Sequence, residues 1–593
     1  MIHSQAEKYG DRVALRYRDY DLGKWIDISW NEFSRRVRLV SNALVAMGVA
    51  EQENIATFSQ NKPECLMVDF GAYGVRAVTI PFYATSSETQ VKYMVSDANI
   101  RYIFVGEQYQ YDIALRVMQL GPHVKKLILF DQKIQRNPQD QTSISFDEFL
   151  KMGEGLPHQE EVERRSDALK PEDLANILYT SGTTGLSKGV MQTHLQYATA
   201  FRGHVPALPL SDQDVILNFL PFTHIFERAW SYLCICYGCT LCVNLKPQDV
   251  LQSMLEVHPT CMSAVPRFWE KVYAGVLEKI NSSPAVQRTL MLDALRVGKE
   301  YNVKYRMRGL VPPIGLKMKY KFYEKTIIAL LLKNLGLERQ NFFPTAGAAV
   351  PVEVEEFVHA CGIGMIVGYG LTESSATVSC DRWNQTISLG SVGRVLDGVT
   401  VKIGENSEVL LKGDTITKGY YRKAEVTANA IDADGWFHTG DAGYLKDGEL
   451  YLTDRIKDLF KTSNGKYIAP QMIETKLVVD RYIDQIVIIA DQRKFVSALV
   501  IPDYHVLEEW AKKHHIEFKT RAELCRNEEV RGFLMERIET LQQEFAHYEQ
   551  VKRITLLPEP FSLERGELTN TLKVKRPVVN EHYKEEIEKM YEE

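Results

Sequence analysis

The feature that most constrains this chain is the alternation of short apolar runs with amphipathic ones over its first 130 residues. Residues 54–58, 77–83, 102–105 and 126–130 are short runs rich in β-branched and aromatic side chains. Between them, residues 62–75, 87–98 and 109–120 carry apolar residues at helical spacing, the second opening on Ser87 and Glu88. Strands alternating with helices predict an α/β fold with a largely parallel sheet built from βαβ units. A polar stretch, residues 131–170, precedes a further apolar strand at 174–179.

Later segments read differently. Residues 281–340 lack strand rhythm and predict helices interrupted at Pro312–Pro313. This insert is locally basic (Lys304, Arg306, Arg308, Lys317, Lys319, Lys321, Lys325) and interleaved with Tyr305, Tyr320, Phe322 and Tyr323. After residue 385, short runs punctuated by Gly390, Gly393, Gly398, Gly404, Gly413 and Gly419 predict a small, barrel-like β subdomain. From Asp454 a smaller α+β unit begins, ending in a charged helix over 580–593. The expected organisation is an N-terminal domain over 1–453, with the helical insert at about 281–340, and a C-terminal domain over 454–593.

Composition narrows the function classes. Hydrophobic residues make up 45% and charged residues 25%, the balance of a folded globular chain. A net charge of −6 gives no global attraction for nucleic acid. The first residues are charged from Glu7 onward without an apolar core, unlike a secretory signal. Residues 229–245 are uncharged and apolar but contain Ser231, Gly238, Thr240 and Asn244, which predicts buried core rather than a membrane span. Nine cysteines, an odd and sparse set, fit a reduced, cytoplasmic setting. Cys234, Cys236, Cys239 and Cys242 cluster in that apolar run with no histidine or acid among them, so packing explains them better than zinc.

The chemistry is concentrated in YTSGTTGLSKG, residues 179–189. Gly182, Gly185 and Gly189 let backbone approach a ligand. Thr180, Ser181, Thr183, Thr184 and Lys188 can surround phosphate oxygens, and successive N–H groups form an anion nest. It is not a Walker A loop, because Lys188 is followed by Gly189 rather than Ser or Thr.

This stretch resembles the phosphate loop of the acyl-adenylate-forming superfamily, which includes acyl-CoA synthetases, peptide-synthetase adenylation domains and luciferases. Six further segments resemble that superfamily's motifs, in the same order: PFTHIFER (221–228), AGAAVP (346–351), GYGLTES (368–374), WFHTGD (436–441), DRIKD (454–458) and NTLK (570–573). PFTHIFER, the insert before AGAAVP, and LTNTLKVKRP (568–577) are most similar to bacterial-type long-chain fatty acid–CoA ligases. Asn570 departs from the resemblance, standing where the family often has proline.

The resemblance implies activation of a fatty acid by ATP to acyl-AMP and transfer to coenzyme A, with Mg²⁺ assisting. It implies that Glu373 and Thr184 hold Mg²⁺, while Lys188, Thr180, Ser181, Gly182 and Thr183 cradle phosphates. Tyr369, with Gly370, Gly347 and Ala348, would enclose adenine; Thr372 would reach the α-phosphate; Asp441 and Arg455 would hold the ribose. Lys573 would be the catalytic lysine. His224 would flank the acyl carboxylate, and Trp230 would line an acyl channel or simply fill the core. Asp454 would be a hinge about which the C-terminal domain moves, bringing Gly465 to the pantetheine. The same motifs leave open an acyl-AMP ligase serving a carrier protein and a catalytically silent nucleotide-binding regulator; a luciferase-type oxygenase is less favoured by the insert. The basic insert predicts peripheral contact with the inner face of a membrane.

Overall fold

The computed structural model describes residues 1–121, 123–180, 187–456, 460–462, 467–569 and 573–592. Its seven-stranded sheet runs, in spatial order, Ile144–Ser145, Lys126–Leu129, Tyr102–Val105, Asn54–Phe58, Val78–Phe82, Leu174–Thr180 and Lys188–Thr193. Every neighbouring pair is parallel except the last, an antiparallel hairpin on either side of residues 181–186. Helices Pro63–Gly74, Glu88–Ala98 and Gln108–Gln119 make the connections. The expected βαβ rhythm is therefore the fold, with ends set by local chemistry. Pro63 sits in the first turn of its helix, where its missing N–H costs nothing. Ser87 caps the next helix, but its capping-box partner is Gln90, not Glu88. Asn99, left-handed at φ 51°, ends it.

A four-stranded sheet joins Val215–Asn218, Thr240–Val243, Val13–Asp19 and Lys24–Ser29. The uncharged 229–245 run spans the end of helix Ile225–Tyr237, a left-handed turn at Gly238 and the buried strand Thr240–Val243. A Cβ on Gly238 would fall 2.2 Å from the Tyr9 ring, so only glycine fits there. No helix among the described residues is long and apolar enough to cross a membrane. All nine cysteines are free thiols, seven of them buried, and no metal-binding group of three His, Cys, Asp or Glu occurs among the described residues.

The third sheet has eight strands: Phe343–Thr345, Met365–Tyr369, Ser379–Cys380, Arg394–Val395, Glu449–Arg455, Phe437–Lys446, Glu408–Gly413 and Val399–Ile403. After its first, parallel pair it is antiparallel throughout. Tyr369, Val378, Val409, Leu411, Phe437 and Leu450 share a core here, the small β subdomain expected from the glycine pattern. Asp447 (φ 53°) and Gly448 (φ 81°) turn the 437–446 strand into 449–455, and the hairpin register places Asp441 opposite Arg455.

The C-terminal domain has its own three-stranded sheet, Ile483–Ile489, Val496–Pro502 and Val551–Leu556, and its own hydrophobic core. Its final helix is not continuous over 580–593. Helices Arg576–His582 and Lys584–Lys589 are separated at Tyr583, which leaves helical geometry, and its hydroxyl donates to Glu567 at 3.1 Å. In the insert, helices Ala285–Gly298 and Ile314–Tyr323 each widen into π-helical turns (Lys299–Tyr305 and Glu324–Ile328). Tyr301 stacks on Tyr320 at 4.1 Å, and Tyr320 and Tyr323 are buried. Two of the aromatics expected on the basic surface therefore face inward.

Candidate active site

Strand Leu174–Thr180 leads into the YTSGTTGLSKG segment, and strand Lys188–Thr193 leaves it, with Thr180 paired to Lys188. Ser181, Gly182, Thr183 and Thr184 lie outside the described residues, as does Gly465. Lys188 places its ammonium over the Tyr420 ring, 5.1 Å from the centroid. The Tyr420 hydroxyl donates to Glu373 Oε1 at 2.9 Å, and the Glu373 carbonyl accepts from the Thr417 N–H at 2.7 Å. Burial raises the Glu373 pKa, and the cations of Lys188 and Arg455 oppose that rise. A half-buried carboxylate near two cations has oxygens of the kind a hard divalent ion prefers.

Tyr369 ends its strand with its hydroxyl donating to Asp441 Oδ2 at 2.6 Å. Arg455 Nε lies 3.4 Å from Asp441 Oδ1, across the hairpin. Gly370 is required by space: a Cβ there would lie 1.6 Å from the Ala376 carbonyl oxygen. The turn that follows is strained, with Ser375 at φ 55° and Ala376 at φ 86°. Gln192 holds it, donating to the Thr372 carbonyl at 2.6 Å and accepting from the Ser375 hydroxyl at 2.7 Å. Gly347 is left-handed at φ 95°, and both it and Ala348 are exposed, forming a wall without bulk.

An apolar cleft runs past this turn, lined by His204, Phe226, Trp230, Leu233, Ala346 and Tyr369 among others. Trp230 is both core and lining, buried and edge-on to Phe342.

His224 caps helix Ile225–Tyr237. Its Nδ1 accepts the Phe226 N–H at 3.3 Å, which assigns the proton of the neutral ring to Nε2. Burial, and after it the nearby Lys573 ammonium, lowers its pKa to about 4. The Lys573 ammonium, exposed and carried by the C-terminal domain, lies near enough for its charge to act on His224.

The segment leading into His224 is pinned from three sides. Asn61 donates to the Leu220 carbonyl at 2.7 Å and accepts from the Phe222 N–H at 2.8 Å. Arg228 Nε donates to the Phe222 carbonyl at 2.8 Å, while its Nη1 pairs with Asp69 at 2.6 Å; both side chains are 1% exposed. Tyr232 donates to the same Asp69 oxygen at 2.8 Å. Beside them, Glu227 accepts from Asn218 at 2.6 Å and Ser263 at 2.5 Å, and burial raises its carboxyl to about 7. The C-terminal domain is held against the large one by Lys476 with Glu353, by Arg267 with Asp484, and by Arg481 with Glu278 at 3.7 Å.

The structure thus gathers Lys188, Glu373 and Arg455 at one end and Tyr369, Gly370, Thr372 and Asp441 beside them, with His224 within reach of the Lys573 charge. Asp454 still lies in the strand ladder, opposite Ala442. Sequence reading missed Tyr420, Gln192 and the Asp69–Arg228 pair. For Tyr420 the available signal was two tyrosines directly after Gly419 in KGYY; Gln192 carried none.

The AMP-binding enzyme family matches residues 2–421, and its C-terminal domain matches residues 457–593. The peroxisomal long chain acyl-CoA synthetase 7 of Arabidopsis thaliana is 30% identical, over 100% of this chain and 86% of its own length. A long-chain-fatty-acid–CoA ligase of Mycobacterium bovis is 28% identical over 96% of this chain and 93% of its own. Human long-chain-fatty-acid–CoA ligase 1 is 29% identical over 95% and 82%. Among solved structures, the adenylation domain of a Mycobacterium chelonae carboxylate reductase superposes with a TM-score of 0.73 at 21% identity, covering 100% of this chain and 90% of that one. An anthranilate CoA ligase in complex with anthranoyl-AMP gives 0.71 at 17% identity, covering 99% and 97%. With family matches spanning both domains and full-length relatives at this identity, the chain belongs to the AMP-binding enzyme family.

Proposed function

We propose that this protein is an ATP-dependent long-chain fatty acid–CoA ligase. The observation that carries the reading is that the Lys573 ammonium, from the small domain, lies near enough for its charge to act on His224, two residues before Phe226 in the wall of an apolar cleft that also contains Tyr369, the hydrogen-bond partner of Asp441. In the first half-reaction a carboxylate oxygen of the fatty acid attacks the α-phosphorus of ATP, the bond to pyrophosphate breaks, and no proton moves. What the protein must supply is position and charge compensation. The Lys573 ammonium would bridge the acid and the α-phosphate. Neutral His224, protonated on Nε2, would donate a hydrogen bond to the acid and has no need to act as a base. Tyr369 and Asp441 would fix adenosine, with Arg455 behind the ribose. Lys188 would meet the outer phosphates, and Thr372 the α-phosphate.

Glu373, with Thr184, would hold Mg²⁺, which supplies neutralisation of phosphate charge when bound. In the second half-reaction the coenzyme A sulfur attacks the acyl carbon, AMP departs, and the thiol proton is lost to solvent. That step needs Lys573 withdrawn, so rotation near Asp454 and release of the Lys476–Glu353 and Arg267–Asp484 contacts belong to the proposal. The domain boundary is placed at that same point. The protein would work in the cytoplasm, drawing its acid from a membrane surface that its basic insert touches.

The test is pyrophosphate release with ATP and Mg²⁺ across acids from acetate to oleate, with and without coenzyme A. Sustained release that requires both a long-chain acid and coenzyme A is expected. Stoichiometric release unaffected by coenzyme A would assign the acyl group to another acceptor.

A further inference from the structure

The insert leaves an apolar stripe in water. Val311 is 90% exposed, Ile314 78%, Met318 70% and Phe322 62%. Ile314, Met318 and Phe322 recur every fourth residue on helix Ile314–Tyr323, so they line one face, and Leu310 and Val311 extend it beyond the Pro312–Pro313 break. The opposite face carries Tyr320 and Tyr323, packed against Tyr301 and bonded to Asp293. Single exposed apolar residues are ordinary, but a stripe running the length of a helix is the mark of a contact surface.

The charge around the stripe says what would cover it. Between residues 304 and 325 there are seven lysines and arginines and one acid, Glu324, in a chain whose net charge is −6. Lys319 pairs with Asp293 and Lys321 with Glu324. Lys304, Arg306, Arg308, Lys317 and Lys325 are exposed and form no ion pair among the described residues. A second copy of the chain is a poor occupant, since a two-fold contact would set these cations against themselves. The helix is ten residues long and carries three lysines, so it cannot insert across a bilayer. Apolar residues on one face with unpaired cations at its margins are what an interfacial helix requires.

We propose that the face formed by Leu310, Val311, Ile314, Met318 and Phe322 seats on an anionic phospholipid bilayer. The apolar side chains enter the acyl boundary, and the surrounding lysines and arginines reach the headgroups. The purpose of this seat rests on the ligase reading: a long-chain acid partitions into the bilayer and is taken from there. The seat itself does not depend on turnover.

The test is sedimentation of the full chain with vesicles of phosphatidylcholine alone and of equal phosphatidylcholine and phosphatidylglycerol, without substrates. Binding to the anionic vesicles should exceed binding to neutral ones by roughly tenfold or more. The triple replacement Ile314→Ser, Met318→Ser, Phe322→Ser should lower it by roughly tenfold or more. Lys317→Gln with Lys325→Gln should lower it by roughly thirtyfold. Both variants change exposed side chains, and turnover of a short, water-soluble acid should be unchanged. Equal sedimentation with both vesicle types, or indifference to either variant, overturns the proposal. So does a dimer in gel filtration that the triple variant dissociates, which would make the face a protein interface. Vesicle binding without acid-dependent pyrophosphate release would sustain the seat and overturn the ligase reading.

Discussion

The Tyr369 hydroxyl and the Asp441 carboxylate, 72 residues apart in sequence, meet at 2.6 Å. The carboxylate is thereby held from one side, with Arg455 at its other oxygen, in the position proposed to receive the ribose. Replacing Tyr369 by Phe keeps the ring and removes the bond. A hydrogen bond to a charged group contributes about 1.5–3 kcal/mol. Tyr369→Phe should therefore raise the KM for ATP by roughly ten- to a hundredfold with a smaller change in kcat. An unchanged KM would mean that Asp441 is oriented by other groups.

Lys573 should matter to one half-reaction only. Lys573→Ala is expected to slow acyl-AMP formation by roughly 10²–10³-fold, the usual loss for one charge-stabilising group. Conversion of supplied acyl-AMP and coenzyme A to thioester should be nearly unaffected. Equal loss in both halves would remove Lys573 from its assigned place.

His224 should stay neutral through the physiological range. Burial and Lys573 depress its pKa from the ordinary 6.5 to about 4. The imidazole resonance of His224 should titrate near 4, and in Lys573→Ala its midpoint should move upward. The linkage has a definite sign: a histidine depressed in the folded state gives stability that is present above 6.5 and lost as pH falls through the window from 6.5 to 4. A midpoint near 6.5 in the parent protein would contradict the burial of the ring.

Glu227 makes the opposite demand. Its carboxyl is raised from 4.5 to about 7 by burial, so the folded state holds its proton where the unfolded state has released it. Its contribution is greatest below 4.5 and is lost as pH rises to 7, at roughly 1 kcal/mol per pH unit. Glu227→Gln removes that dependence. Thermal melts from pH 5 to pH 7.5 should show the variant gaining on the parent as pH rises; parallel curves would count against a protonated Glu227.

Much of this architecture could be read from periodicity. Strands such as Asn54–Phe58 and Leu174–Thr180 are buried along most of both faces, so they read as largely apolar runs despite the buried Thr57 and Asn176, and Ser87 and Pro63 mark helix starts by chemistry visible in the chain. Ordered motifs led to Lys188, Glu373, Tyr369, Asp441, His224 and Lys573. What could not be read depends on distant partners or on which side of a helix is covered. Tyr420 reaches Glu373 across 47 residues, and no local pattern encodes that bond. Tyr320 and Phe322 are two residues apart in an equally basic helix, yet one is buried and the other lies in water. The break falls at Tyr583, whose hydroxyl donates to Glu567, and not at a helix-breaking residue.

The Asp69–Arg228 pair shapes how this sequence can drift over generations. Each side chain is buried, and losing one partner of such a pair costs about 3–5 kcal/mol, a large share of a domain's stability. Replacing both with apolar residues of similar volume is often neutral. Arg228→Met or Asp69→Leu alone is therefore a step most lineages cannot survive, while the two together are survivable. Homologous chains should carry both residues or neither, a correlated inheritance across 159 positions that ties the entry to His224 to a helix on the other side of the core.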